Sequence, residues 1–349
     1  MPRCHSMFAQ FACHRWLPLN SVLLPQSLPR EPEWRPRVEI LDLRHFSSHD
    51  LRPLLEDEIR VWGSLLCWDY SGSAEMILRY MDAKFLPGYA AVSHGRIFGY
   101  SFFVYENSKG VIGDLFVAEG ENGTERKEVE RRLLTHVIET LQQSPGVHRI
   151  EAQLLAHEAG AAAKPFQEQQ FSRHARLFMT LPLADPQEDG LPAPSAEIRR
   201  WTELDYQPSA SVITAAYRNH VDSEINDQYR TLSGSLRFLN NIVRFPGCGT
   251  FDPESSFVAL DRAGALAGII LCSRVRHDVG HVTQICVLPE YRSHGLGRAL
   301  LAATVRNLRQ RKFSTLSLTV TEANVRAVEL YKRLGFETRR VFDAFVWEG

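Results

Sequence analysis

The densest run of residues able to do chemistry reads Ile285-Cys286-Val287-Leu288-Pro289-Glu290-Tyr291-Arg292-Ser293-His294-Gly295-Leu296-Gly297-Arg298-Ala299. β-Branched and apolar residues up to Pro289 predict a strand, and Arg292 to Gly297 a loop that feeds directly into a helix beginning at or just before Arg298. A helix start leaves several backbone N–H groups unpaired and carries partial positive charge, and glycines without Cβ atoms let a diphosphate come close to those groups. Arg292 and Arg298 flank the loop and could add charge-assisted hydrogen bonds to phosphate oxygens. Taken alone, Gly295 and Gly297 fit close strand-to-helix packing as well as an anion site.

Further along, Asn324 to Phe336 predicts a second helix, with Ala327, Leu330 and Leu334 at core spacing and Gly335 as its C-cap. Tyr331 on that helix offers a phenol that can donate a proton to a developing anion, and it fits equally a core tyrosine on the packed face. Candidates for taking a proton are His281 and Gln284 on the strand, and Asp222, Glu224 and Asp227 in the run HVDSEINDQYR; a chain of waters is the alternative. Histidine has the advantage of titrating in the useful range. Cys286 has no His–acid partnership in sequence and reads as a small buried residue. His277 and His281 flank a strand start instead of sharing a helix face, so no metal site is expected.

Together the motifs Val287-x-Pro289-x-x-Arg292-x-x-Gly295-x-Gly297 and Asn324-x-x-Ala327-x-x-Leu330-Tyr331-x-x-Leu334-Gly335-Phe336 resemble the GNAT superfamily of acyl-CoA N-acyltransferases. The resemblance implies acetyl-CoA as acyl donor, with its pyrophosphate on the amides of Ser293, His294, Gly295, Leu296, Gly297, Arg298 and Ala299 and beside Arg292. It implies that the backbone of Ile285 and Val287 pairs with the pantetheine arm like an added strand, that Asn324 contacts the arm, and that Tyr331 lies near the sulfur. It also implies direct transfer to a neutral amine, with the Val287 amide holding the oxyanion and Tyr331 protonating the departing thiolate. The expected function is thus an N-acetyltransferase acting on a small-molecule or peptide amine. The alternative is an acetyl-CoA sensor without turnover, which would need neither Tyr331 nor an open acceptor cleft.

The elements that must position these residues occur twice. In the second half, Ser256–Leu260, Ala265–Cys272 and Val279–Leu288 predict strands, followed by helix Gly295–Arg311, strand Thr315–Val320, helix Asn324–Leu334 and strand Val341–Trp347. The first half repeats the series with Tyr89–Ser93, Ile97–Tyr105 and Gly110–Ala118, helix Glu125–Gln142, strand His148–Leu154 and a segment ending at Phe171. Short helices (Leu51–Trp62, Ser73–Tyr80, Tyr206–Asn219 and Asn226–Arg244) precede each sheet. The expected class is α+β, two GNAT-like domains, each with a mixed, mainly antiparallel sheet flanked by helices. Residues 37–182 would form the first and 196–349 the catalytic second, joined by a Pro-rich acidic linker at 183–195 and preceded by a poorly ordered tail at 1–36.

The first copy is expected to be degenerate. Where the phosphate loop should lie it carries Glu119, Glu121, Glu125 and Glu128, which would repel a diphosphate, and Phe166 stands in the place of Tyr331. Packing, shaping the acceptor cleft or recognising a partner remain as its roles. Across all 349 residues, 40 Lys+Arg against 41 Asp+Glu and 44% apolar residues leave no charge footprint for nucleic acid or an anionic membrane. The six scattered cysteines and the lack of a long apolar span or signal-peptide pattern lead to the expectation of a cytoplasmic protein.

Overall fold

In the computed structural model, which describes residues 38–119, 123–183, 197–245 and 249–349, the strands of both halves join one mixed sheet. The first half supplies β1 (Glu39–Asp42), β2 (Gly88–Ser93), β3 (Arg96–Glu106), β4 (Lys109–Val117), β5 (Arg149–Gln153) and β6 (Ser172–Pro182). The second supplies β7 (Glu197–Arg200), β8 (Thr250–Phe251), β9 (Phe257–Leu260), β10 (Leu266–Arg276), β11 (Val279–Val287), β12 (Thr315–Thr321) and β13 (Glu337–Glu348). The helices are α1 (Ser48–Leu66), α2 (Ser71–Asp82), α3 (Gly123–Gln143), α4 (Ala163–Glu168), α5 (Tyr206–Ala216), α6 (Val221–Ile225), α7 (Leu232–Arg244), α8 (Leu296–Gln310) and α9 (Val325–Arg333).

The pairing order is β1-β2-β3-β4-β5-β13-β6-β12-β11-β10-β9-β7, with β8 on β10. Only β4–β5 and β11–β12 run parallel among the described pairs, so the sheet is mainly antiparallel, as the sequence implies. The centre of the order carries an exchange. The last strand of the chain, β13, pairs with β5 of the first half, and the last strand of the first half, β6, pairs with β12 of the second. The two also pair with each other, from Glu337↔Thr180 to Val346↔Ser172. Each half therefore completes the other's sheet, and Arg37–Gly349 is one compact unit. The sequence reading did not contain β6, and with it the exchange was missed.

Helices cover both faces. The apolar faces of α1 and α2 bury Leu51, Leu55, Ile77 and Met81 over the centre of the sheet, against Phe178 and Phe342 of the exchanged strands. α3 covers the opposite face of the first half, α8 and α9 one face of the second, and α5 and α7 its other face. The expected helix Asn226–Arg244 is split into a 3-10 turn, Asp227–Arg230, and α7. Two successive caps cause the break, Asn226 accepting from the Gln228 N–H and Thr231 from the Gly234 N–H. The expected tail, and all of the expected linker but Leu183, lie outside the described residues. Among the described residues no helix is long and apolar enough to cross a membrane.

Candidate active site

The site begins with a fault in the sheet. Between β10 and β11 the partners are Leu271↔Gln284 and then Cys272↔Val282, so Thr283 is an extra residue, a β-bulge. Its hydroxyl donates to the Leu271 carbonyl at 3.1 Å, giving that acceptor a partner beside the irregular ladder. At the same place the parallel pairing of β11 with β12 stops, at Val282↔Leu318, although both strands continue. Beyond it the two strands diverge.

Which groups face the gap follows from the ladder. The Leu288 N–H donates to the Ala267 carbonyl at 2.9 Å, so alternate residues address β10 and the main-chain groups of Ile285 and Val287 point the other way, where no strand takes them. The Val287 carbonyl receives Arg292 Nε at 3.2 Å and the Ile285 carbonyl receives the Tyr217 hydroxyl at 3.3 Å. The N–H groups of Ile285 and Val287 remain directed into the gap. The sequence placed Arg292 on phosphate; the structure places its guanidinium on the Val287 and Ala216 carbonyls, tying the end of β11 to the end of α5.

The phosphate-loop residues Ser293, His294 and Gly295 are exposed, as is Arg298, while Leu296 and Ala299 point into the core. Gly295 is the N-cap of α8 in the left-handed region, φ 80°, and offers no side chain to cap the helix. The N–H groups of Leu296 and Gly297 thus start a helix ahead of its i−4 ladder, which Ala299 enters with a bond to the Gly295 carbonyl at 3.0 Å. A Cβ at Gly295 would meet nothing within 4 Å, and one at Gly297 would come no closer than 3.6 Å to Leu330. The chain's own packing therefore does not require a glycine at 297, and the space in front of it is open to a ligand. That cradle fits a diphosphate. Arg326, which the sequence reading passed over, adds a guanidinium on the α9 side, 3.4 Å from the Ser293 hydroxyl.

Asn324 is the N-cap of α9, its side chain accepting from the Ala327 N–H at 3.4 Å, so its position is fixed by a local bond. Tyr331 is 6% exposed and sits against Phe336, ring centroids 5.8 Å apart. No hydrogen bond to its hydroxyl is found among the described residues. Burial, then the nearby Asp222 carboxylate and Cys286, push its pKa above the ordinary phenol value, so it is a neutral donor at any physiological pH.

The possible proton acceptors separate clearly. His281 is enclosed between Trp68 and Phe178, bonds Ser317 through Nδ1 at 2.9 Å, and is driven by burial to a pKa of about 3; it is a neutral core residue. Gln284 accepts from the Tyr217 hydroxyl at 3.3 Å. Asp227 is held by Lys109 Nζ at 2.5 Å and Glu224 is an exposed residue whose carbonyl is bound by Arg149. Asp222 alone of the three acids stands at the gap: half-buried, accepting from the Thr321 hydroxyl at the end of β12, 3.4 Å from His220 Nδ1, and close enough to Tyr331 to raise it. Cys286 is buried, its thiol pushed up to about 12 by that burial, and so is no nucleophile. Tyr217 and Tyr229, stacked at 4.3 Å, wall this side and were not singled out in sequence, although Tyr217 precedes the acidic run and Tyr229 lies within it.

The first half has the same fault but not the same opening. Gly113 is the extra residue between Phe102↔Asp114 and Phe103↔Ile112, the β4–β5 pairing stops at Ile112↔Ala152, and the Ala118 N–H donates to the Phe98 carbonyl at 2.8 Å. Leu115 and Val117 thereby match Ile285 and Val287. Here buried His157 reaches in and bonds the Leu115 carbonyl through Nε2 at 2.8 Å. Phe166 and Phe171 pack edge to face with centroids 5.1 Å apart, where Tyr331 and Phe336 pack tilted, and Phe166 lacks the hydroxyl. Among the described residues no group of three or more His, Cys, Asp or Glu could hold a metal ion.

Comparison with known proteins bears on the family and the fold. The sequence pattern of the acetyltransferase (GNAT) family matches residues 215–336. Over 99 residues, 27% of this chain, the sequence is 41% identical to a mycothiol acetyltransferase of Thermobispora bispora, and the matched stretch spans 33% of that relative. In fold, a GCN5-related N-acetyltransferase from Sphaerobacter thermophilus superposes with a TM-score of 0.61 at 16% identity, covering 89% of this chain and 95% of that one. A tandem GNAT protein from the clavulanic acid biosynthesis pathway does so at 0.56 and 17%, covering 89% and 98%. The C-terminal region of this chain is a domain of the acetyltransferase (GNAT) family.

Proposed function

We propose that the chain is an acetyl-CoA-dependent N-acetyltransferase with one active site, in the gap between β11 and β12. The observation that carries the reading is that the N–H groups of Ile285 and Val287 point into the gap between β11 and β12, beside the glycine-capped start of α8 and the buried Tyr331 side chain. Acetyl-CoA supplies the activated thioester. The amides of Gly295 to Ala299, with Arg298 and Arg326, hold its diphosphate. Ile285 and Val287 extend the sheet onto its pantetheine arm, and Asn324 borders that arm. The Val287 N–H points where the carbonyl oxygen gains charge and stabilises it there. Tyr331, neutral and desolvated, donates to the departing sulfur. Asp222 faces the incoming amine, binding its ammonium form and accepting its proton. The first half, with His157 across its gap, binds no coenzyme and instead supplies β6 and holds the acceptor-side segment 221–230 through Lys109 and Arg149.

The test is calorimetry and turnover with the full chain. One acetyl-CoA per chain should bind, and thiol release with a panel of amino acids, amino sugars, cysteinyl amines and peptides should identify an acceptor. Binding without release for every acceptor supports a sensor instead; two sites per chain overturn the account of the first half.

A further inference from the structure

Between the two halves the sheet carries a half-buried guanidinium with no carboxylate to match it. Arg176 lies on β6, directly across the ladders from Thr321 of β12 and Phe342 of β13. Its Nη1 donates to Gln153 Oε1 at 2.9 Å, its Nη2 reaches Thr319 Oγ1 only at 3.5 Å, and its Nε is buried with no partner. Among the described residues no carboxylate lies within ion-pair distance of it. Arg149, Arg276 and Arg311 instead meet Glu151, Asp278 and Asp252 at 2.5 to 2.6 Å; Arg340, bonded to the Ala156 carbonyl with its Nε buried, resembles Arg176 but lies away from the open end of β12. A guanidinium withdrawn from water and held only by an amide and a hydroxyl keeps much of its capacity for an anion.

Its neighbours locate it in the acceptor side of the site. Thr321, its ladder partner, gives its hydroxyl to Asp222, the acid whose charge is felt by Tyr331. His174, two residues earlier on the same face of β6, is partly buried, and that burial favours its neutral form, so it adds no competing charge. A cationic subsite and an anionic subsite thus flank Thr321 at the open end of β12.

We infer that Arg176 binds a carboxylate on the acceptor, so that the acceptor is an amino acid or another amine bearing a carboxylate, its amine toward Asp222. This rests on the acetyltransferase reading above and names the acceptor class for it. Arg176 comes from the first half, so the exchange of β6 would give that half a direct part in substrate choice.

The experiment compares acceptors differing only in the carboxylate, lysine against cadaverine and phenylalanine against phenethylamine, with the full chain and its Arg176→Gln and Arg176→Lys variants. For the wild type, kcat/KM should favour the carboxylate partner by about 10- to 100-fold, as expected for a charged contact made by a pre-formed site. Arg176→Gln should abolish the preference and Arg176→Lys reduce it, with acetyl-CoA affinity and melting temperature retained. Equal rates for both members of each pair, or a preference that survives Arg176→Gln, overturn the inference; phosphoethanolamine preferred to lysine overturns the carboxylate assignment. Should no acceptor turn over, calorimetric titration of lysine and phenylalanine decides separately: weaker binding to Arg176→Gln supports the subsite, and unaltered or undetectable binding to the wild type removes it.

Discussion

Replacing Glu58 with Gln should change how stability responds to pH by about one proton. Glu58 is 0% exposed, on α1, and its carboxyl adjoins that of Asp114, the first-half counterpart of Gln284. Its oxygens accept from Tyr100 at 2.7 Å and Trp62 at 3.2 Å; those of Asp114 accept from the Tyr70 hydroxyl and the Leu115 N–H, both at 2.8 Å. Burial, followed by the neighbouring Asp114 charge, raises Glu58 well above the ordinary carboxyl value, and burial raises Asp114 too, so the pair is expected to hold one proton in the folded state. An acid raised in the folded state contributes its full stability below its unfolded pKa and loses it as pH rises toward the folded one. In that window the native state binds one more proton than the unfolded chain, and unfolding free energy falls by about 1.36 kcal/mol per pH unit. Above the ordinary glutamate pKa the wild type should therefore lose stability with rising pH, by at most about 1.36 kcal/mol per unit, relative to Glu58→Gln. The amide can donate to Asp114 and accept from Tyr100 but gives up the longer bond from Trp62, since its nitrogen cannot accept; that loss does not vary with pH and leaves the slope unaffected. Urea unfolding of both proteins at several pH values measures the two slopes, and other carboxylates cancel in the difference. Parallel slopes would refute the shared proton.

Tyr331→Phe should lower kcat by about 10²- to 10⁴-fold while acetyl-CoA affinity is retained, because it removes a proton donor and leaves the ring in place; steady-state kinetics beside calorimetry check this, and unchanged kcat would take Tyr331 out of the mechanism. Gly297→Ala should leave stability unchanged or raise it by up to about 1 kcal/mol, since the new Cβ has room in the chain and suits a helix, yet weaken acetyl-CoA binding at least about tenfold by intruding on the cradle. A loss of stability together with retained affinity would restore the packing explanation for that glycine. Lys109→Met should leave Glu151 and Asp227 under-compensated and cost about 3 kcal/mol, the lower end for a broken buried pair, because Glu151 keeps Arg149 at 2.6 Å. Hydrogen exchange should speed up over residues 221–230, and unaltered exchange there would show that the first half does not hold that segment.

The sequence alone determined the family resemblance of the C-terminal half, and it carries the proposals for the donor side and for the retreat of the first copy. Both depend on interactions a few residues apart: Gly295 at a helix start, Asn324 three residues before the N–H it caps, and acidic residues where a phosphate loop should be. Such bonds close within a turn of backbone, so residue type and spacing reveal them. What the tertiary structure decided involves partners far apart in the chain. The bulge at Thr283, the exchange of β6 and β13, and the choice of Asp222 over His281 all depend on which strands lie side by side. His281 and Asp222 have equally suitable side chains on paper; enclosure between Trp68 and Phe178 makes the first a neutral core residue, while the end of β12 brings the second to Tyr331. Arg176 gave no signal in sequence because its meaning is the lack of a carboxylate around it. That lack is a property of packing, since burial makes an unmatched charge costly and an incoming anion welcome.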